Sequence, residues 1–178
     1  YPNALYFISE GKVKTYKTNE EGKELIIGIH GKGEFIGYLP LLKECEYQDS
    51  AMTMEPSVLT VISKEDFNHL IHTNRDVSHQ FVKMLSGHIM EKEDELIKFA
   101  YNTVRKRVAE GLLKIAEKYD NPETTPFPVP REDLANIVGT ASESVIRVLS
   151  DFKEEQLIVT EGRKIKIINK QGLANIRY

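Results

Sequence analysis

Arg147 stands four residues after Glu143, and Ser142 and Ser144 flank that carboxylate. On a helix, residues four apart share a face. Such a face can read base edges: a guanidinium donates two hydrogen bonds to guanine O6 and N7, and a carboxylate accepts from cytosine N4. Further on, Arg163, Lys164 and Lys166 cluster around a glycine and are suited to meeting phosphates. Other reactive residues are sparse. His69 and His72 lie three apart, with no carboxylate–His–His set to complete a metal site, so no metal ligands are assigned. Cys45 sits between Glu44 and Glu46, which discourages thiolate chemistry. No catalytic residues are assigned.

The elements that must position these groups read as a winged helix-turn-helix. A first helix spans Arg131–Val138, and Gly139 makes the turn. Thr140 and Glu143, three apart, predict a capping box. A second helix runs over 142–155, with Val145, Val148, Leu149 and Phe152 inward and Glu143, Ser144 and Arg147 outward near its start. Residues 157–160 and 164–168 bracket Glu161-Gly162-Arg163 as a hairpin wing. The candidate DNA-contacting residues are Thr140, Ser142, Glu143, Ser144, Arg147, Arg163, Lys164 and Lys166.

Upstream, Asn121 to Pro130 holds four of the seven prolines, and no regular element is expected to cross it. A helix over about 102–119 precedes it. A longer one, over 76–99, carries Val82, Leu85, Ile89, Leu96 and Phe99 at heptad spacing, with Lys92 in the skipped position. Those six residues are the expected dimer seam. Val77, Phe81 and Met84 form a second stripe for packing on the preceding domain. Residues 1–62 read as short strands, with six of eleven glycines by position 37 and a hairpin turn at Asn19-Glu20-Glu21-Gly22. Ser63 is an expected N-cap, with Glu65 and Asp66 in the following turn. The fold class is therefore α+β: an N-terminal β-barrel (double-stranded β-helix or jelly roll), a long dimerisation helix, and a C-terminal winged helix-turn-helix. The expected domains are 1–100, sensing, and 101–178, DNA-binding.

Composition sets limits. The chain has 178 residues, 24 basic and 27 acidic, a net charge of −3. That balance hides an asymmetry: residues 1–100 carry 11 basic and 16 acidic groups, a balance of −5, while 101–178 carry 13 and 11, a balance of +2. One cysteine excludes an internal disulfide framework and a thiolate-ligated cluster within this sequence. No apolar run reaches the roughly 18–20 residues of a membrane span, and no signal segment opens the chain, so a cytoplasmic location and no membrane partner are expected. Tyr1 is not a start methionine, and the strand pattern begins within four residues, which leads us to expect a fragment lacking part of its N-terminus.

Several segments resemble the CRP/FNR family of bacterial transcription regulators. Leu5-Tyr6-Phe7-Ile8-Ser9-Glu10-Gly11-Lys12-Val13 resembles that family's strand entering a glycine turn. Gly33-Glu34-Phe35-Ile36-Gly37 resembles the entry to its cyclic-nucleotide cassette, and residues 137–149 resemble its recognition helix. The resemblance implies a homodimer that binds palindromic double-stranded DNA and meets RNA polymerase, with an effector pocket in the barrel. The pocket candidates it implies are Gly37, Tyr38, Leu39, Asp49, Ser50, Ala51, His88, Lys92 and Glu93. Three of these depart from cyclic-AMP-binding members. Tyr38 stands where a glutamate holds the ribose, Asp49 where an arginine holds the phosphate, and Lys92-Glu93 where a Thr-Ser pair meets adenine. A carboxylate beside a phosphate repels it. The expected effector is thus an unidentified small molecule other than cyclic AMP, or none. No iron–sulfur cluster or haem is assigned. Ser142 replaces an arginine found in several members, which predicts a changed base preference there. Two alternatives stand beside this reading: a cyclic-nucleotide-dependent regulator with an atypical pocket, and a metal-dependent barrel enzyme, for which the β-rich region offers only His30.

Overall fold

The computed structural model describes residues 2–176, which fall into two compact units. One comprises the residues up to 18 together with 27–96. The other comprises 19–26 together with the residues from 97 on.

The chain begins with β1 (Ala4–Glu10), β2 (Val13–Thr18), β3 (Glu24–His30) and β4 (Phe35–Ile36), followed by a short helix α1 (Tyr38–Lys43). After it come β5 (Ser50–Thr53), β6 (Val58–Ser63) and α2 (Lys64–Thr73). The strands form two three-stranded sheets, β4-β1-β6 and β3-β2-β5, which are consistent with a jelly roll though they do not close into one cylinder among the described residues. Pairing is antiparallel, and β1 shifts register against β6 between Ile8 and Glu10. At the β1–β2 turn Gly11 has φ +87°, and a β-carbon there would fall 2.1 Å from Ser57 Oγ. No other residue fits that turn. The Asn19 turn forms as read: Asn19 Oδ1 accepts from the amides of Glu21 and Lys23.

α2 is capped by Ser63, whose Oγ accepts from Asp66 N at 3.0 Å. α3 (Arg75–Tyr101) runs 27 residues, about 40 Å. Asn74 Oδ1 accepts from the first amides of this helix. Phe81, Met84 and Leu85 of α3 pack on a cluster of Leu5, Tyr38, Leu41 and Phe67. Phe81 and Met84 of the second stripe therefore pack on the β-rich unit, and Leu85, expected in the dimer seam, joins them there because it lies on the same side of the helix. The heptad stripe is different: Val82, Ile89 and Leu96 are each more than 60% exposed.

The second unit contains α4 (Val104–Ala116), β7 (Phe127–Pro128), α5 (Arg131–Val138), α6 (Ser142–Glu154), β8 (Ile158–Glu161), β9 (Lys164–Ile167) and α7 (Lys170–Ala174). Thr103 caps α4 through a bond from Lys106 N. The core is built from Val108, Leu112, Ile115, Leu134, Val145, Leu149, Phe152, Ile165 and Ile167, all buried. Two expectations need correction. The proline-rich tract does carry a strand: β7 pairs with β9, Phe127 opposite Ile165, because Pro128 needs no amide on that edge. The Thr140–Glu143 capping box does not form. α6 begins one residue later than that box requires, with Ala141 at the cap and no side-chain bond to it.

Among the described residues no helix is long and apolar enough to cross a membrane, and no His, Cys, Asp and Glu cluster could hold a metal ion.

Candidate nucleic-acid interface and effector pocket

The α5–α6 turn is held from three sides. Gly139 takes φ +63°, and its amide bonds to Ala135 O. Arg107, on α4, donates from Nη1 to Val138 O at 2.6 Å. The same guanidinium lies 4.7 Å from the Phe99 ring centroid. Phe99 leaves no room for a side chain at the turn, since a β-carbon on Gly139 would lie 2.5 Å from Phe99 Cε2. The Arg107 Nε is buried without a hydrogen-bond partner, so packing rather than a full set of bonds seats this arginine.

With the turn fixed, α6 buries Val145, Val148, Leu149 and Phe152 and turns its opposite face outward. Glu143 and Arg147 are exposed, while Thr140, Ser142 and Ser144 are half-buried. Between them stands Ile146, 55% exposed, which the sequence reading did not single out. It sits three residues after Glu143 and beside Arg147, on the same outward stripe. The signal was available: Ile146 falls outside the 145, 148, 149, 152 pattern that faces the core.

The wing forms from β8 and β9, with Val159 opposite Lys166 and Glu161 opposite Lys164. Arg163 and Lys164 are exposed and Lys166 half-buried. None of Arg147, Arg163, Lys164 or Lys166 uses its side chain in a hydrogen bond or ion pair with another described residue. Arg131 ties the wing to α5: Nη1 donates to Val129 O at 2.7 Å and Nη2 to Gly162 O at 3.3 Å. Burial holds its guanidinium below the usual arginine range. Arg105 binds α6 from the other side, reaching Glu155 at 2.6 Å and Asp151 at 3.5 Å, with its guanidinium 4.9 Å from the Phe152 ring centroid.

In the first unit a pocket of about 380 Å³ is lined by Tyr6, Val13, Ile36, Tyr47, Asp49, Ala51, Met52, Thr53 and Leu59. Of the pocket residues expected from the sequence, Asp49 and Ala51 line it. Gly37 lies close by, since a β-carbon there would be 3.4 Å from Tyr6 Cδ2 and 3.7 Å from Tyr47 Oη. Ser50 and Leu39 are exposed. Tyr38 is buried in the apolar cluster, edge-on to Phe81, and its Oη shares a 2.7 Å hydrogen bond with His88 Nδ1. Burial raises the Tyr38 phenol above its ordinary value, helped by the charge of Glu34. Lys92 donates to Ile27 O at 2.5 Å and to Glu95 Oε2 at 2.6 Å. Glu93 is exposed. Tyr6 and Tyr47 were not among the expected residues. They reach the pocket through strand pairing and a loop, which no local pattern announces.

Comparison with known proteins agrees with this geometry. Residues 1–74 match the cyclic nucleotide-binding domain family, and residues 106–176 match the Crp-like helix-turn-helix domain family. The cyclic AMP receptor protein of Thermus thermophilus is 33% identical over 155 residues, 87% of this chain and 70% of that protein. The fumarate and nitrate reduction regulatory protein of Escherichia coli is 24% identical over 177 residues, 97% of this chain and 70% of that protein. A crystal structure of a transcriptional regulator of the CRP/FNR family, also from Thermus thermophilus, superposes with a TM-score of 0.81 at 22% identity, over 100% of this chain and 94% of that one.

Proposed function

The chain belongs to the CRP/FNR family of DNA-binding transcription regulators, and we propose that it works as a homodimer on palindromic double-stranded DNA. In this reading residues 1–100 sense and 101–178 bind DNA. α6 enters the major groove, and the β8–β9 wing rests on the backbone. One observation carries it: Glu143, Ile146 and Arg147 are exposed on one outward face of α6, and the same unit carries wing cations whose side chains no described residue engages. Thr140, Ser142 and Ser144 complete the contacts near the helix start. Of the expected α3 seam, Val82, Ile89, Leu96 and Lys92 pair two copies in this reading, whereas Leu85 packs on the Leu5–Tyr38–Leu41–Phe67 cluster and Phe99 against Gly139 and Arg107. RNA polymerase is the further partner, and the location is cytoplasmic. The chain carries no catalytic role in this reading, and its relatives are regulators rather than enzymes.

Arg147→Ala is expected to cost about 1–3 kcal/mol of operator binding and to relax preference at one base pair. Gel-shift titration against matched and single-substituted operators measures this. An unchanged affinity would overturn the assignment of α6.

Ile146 has no hydrogen-bonding group, so the base feature it suits is the thymine methyl. Replacing each operator thymine in turn by deoxyuridine is expected to weaken wild-type binding at one position in each half-site. The same replacement should have no effect on Ile146→Gly.

The barrel senses a small molecule other than cyclic AMP. Three placements support this. The Tyr38 hydroxyl is engaged by His88 inside the apolar cluster, Asp49 puts a carboxylate on the pocket wall, and Lys92 is held by Ile27 O and Glu95. A cyclic-AMP response is the second reading, favoured by the named Thermus relative. Calorimetric titration with cyclic AMP is expected to show no micromolar binding, and micromolar binding would establish the second reading instead.

A further inference from the structure

We propose that the pocket of the first unit takes a small organic cation, an alkyl- or quaternary ammonium compound, held between the rings of Tyr6 and Tyr47 and the carboxylate of Asp49. The inference rests on the reading of this pocket as the effector site and assigns the ligand's chemical class.

The lining decides the sign of the charge. Among the described residues its only ionised side chain is Asp49, and no described lysine, arginine or histidine lines the space. Asp49 makes no ion pair or hydrogen bond with another described residue, so no described side chain neutralises its charge. Tyr6 and Tyr47 line the same space as Asp49, and a β-carbon on Gly37 would be in ordinary contact with both rings, at 3.4 Å from Tyr6 Cδ2 and 3.7 Å from Tyr47 Oη. Tyr47 is fixed in place by donating its hydroxyl hydrogen to Ala4 O at 3.1 Å. Burial, with the neighbouring Tyr6 and Asp49, pushes the Tyr47 phenol above its ordinary value. Burial disfavours any uncompensated charge here, and the Asp49 carboxylate sets the sign of the field, which repels an anion and attracts a cation.

Ring faces add to the attraction. The quadrupole of a tyrosine ring draws an ammonium group placed over its face, most strongly where water is excluded. Val13, Ile36, Ala51 and Leu59 supply an apolar remainder that suits methyl or methylene groups around the charge. A hydrated inorganic cation would leave that surface unused, so an organic ammonium compound fits better than a metal ion.

The test uses choline as the probe, beside its uncharged carbon isostere in which a tert-butyl group replaces the trimethylammonium. Both are titrated calorimetrically into the full chain. Choline is expected to bind about tenfold or more tightly than the isostere. Asp49→Asn and Tyr47→Leu should each remove most of that preference while leaving the melting temperature near wild type. Equal binding of the two probes, or no choline binding at millimolar concentration, would overturn the proposal. So would a preference that both variants retain. A gel shift with and without choline separates this from the effector reading. Choline that binds without changing operator affinity supports the cation site and overturns the effector role. Absent choline binding overturns the cation site, whatever the DNA result.

Discussion

Leu96→Glu is expected to convert the proposed dimer to a monomer and to lower operator affinity roughly 10²–10⁴-fold, the range that linking two binding modules can supply. Val82, Ile89 and Leu96 recur at seven-residue spacing on α3, and each exposes more than 60% of its surface. An apolar stripe of that length facing water is costly, and the same stripe on a second copy covers it. At a two-fold seam each substitution enters twice, so a glutamate at 96 would bring two carboxylates together in the pair's apolar centre. Desolvation and repulsion then act in the same direction. Binding of the second half-site is intramolecular in a dimer and becomes a separate event in a monomer, which sets the size of the loss. Leu96 is exposed in the single chain, so the monomer's own stability should hardly change. Sedimentation together with gel shift reads both effects, and circular dichroism confirms that the helices persist. A Leu96→Glu variant that stays dimeric would remove α3 from the interface.

Phe152→Ala is expected to cost about 3–5 kcal/mol of stability, at the upper end for a single core substitution. Phe152 is fully buried on α6, the helix that carries the reading face, and its ring supports the Arg105 guanidinium. Truncation leaves a cavity and removes the surface on which that cation rests. Arg105 also pairs with Glu155 and Asp151, so its own removal tests a different contribution. Those pairs are partly exposed, and Arg105→Ala should cost about 1 kcal/mol or less. A chemical denaturation series of the two variants separates the terms. A total stability of about 5–15 kcal/mol is usual for a domain, so Phe152→Ala should remove a large share of it and lower the denaturation midpoint clearly.

Legibility in the sequence followed the range of the forces involved. α5, α6 and the wing are legible to within a residue or two, because the Leu134, Val138, Val145, Leu149 and Phe152 spacing is local and the turn needs Gly139. The cap at Ser63 and the Phe81 and Met84 packing stripe of α3 are legible for the same reason, whereas Leu85 was read into the other stripe and packs beside them. The capping box fails because the helix starts at Ser142, which takes Thr140 out of register with the free amides. β7 is hidden by its prolines, since pairing with β9 depends on an edge that only the folded unit supplies. The short helices α1 and α7 carry too few residues for a periodic signal. The pocket is half legible. Asp49 and Ala51 came from resemblance, but Tyr6 and Tyr47 gather there through the pairing of β1 with β4 and the loop after α1. Tyr38 was expected at the pocket and instead points into the cluster beside His88, because its ring is worth more against Phe67 and Phe81 than in water.

In the proposed complex two copies of α6 read one symmetric site. Selection of bound fragments from random duplex DNA by the full chain tests it most directly. The expected result is enrichment of a two-fold-symmetric sequence with half-site centres about 34–36 Å apart, lost when Arg147 is replaced by alanine. Failure to enrich any sequence above the starting pool, or enrichment that Arg147→Ala leaves untouched, would contradict it.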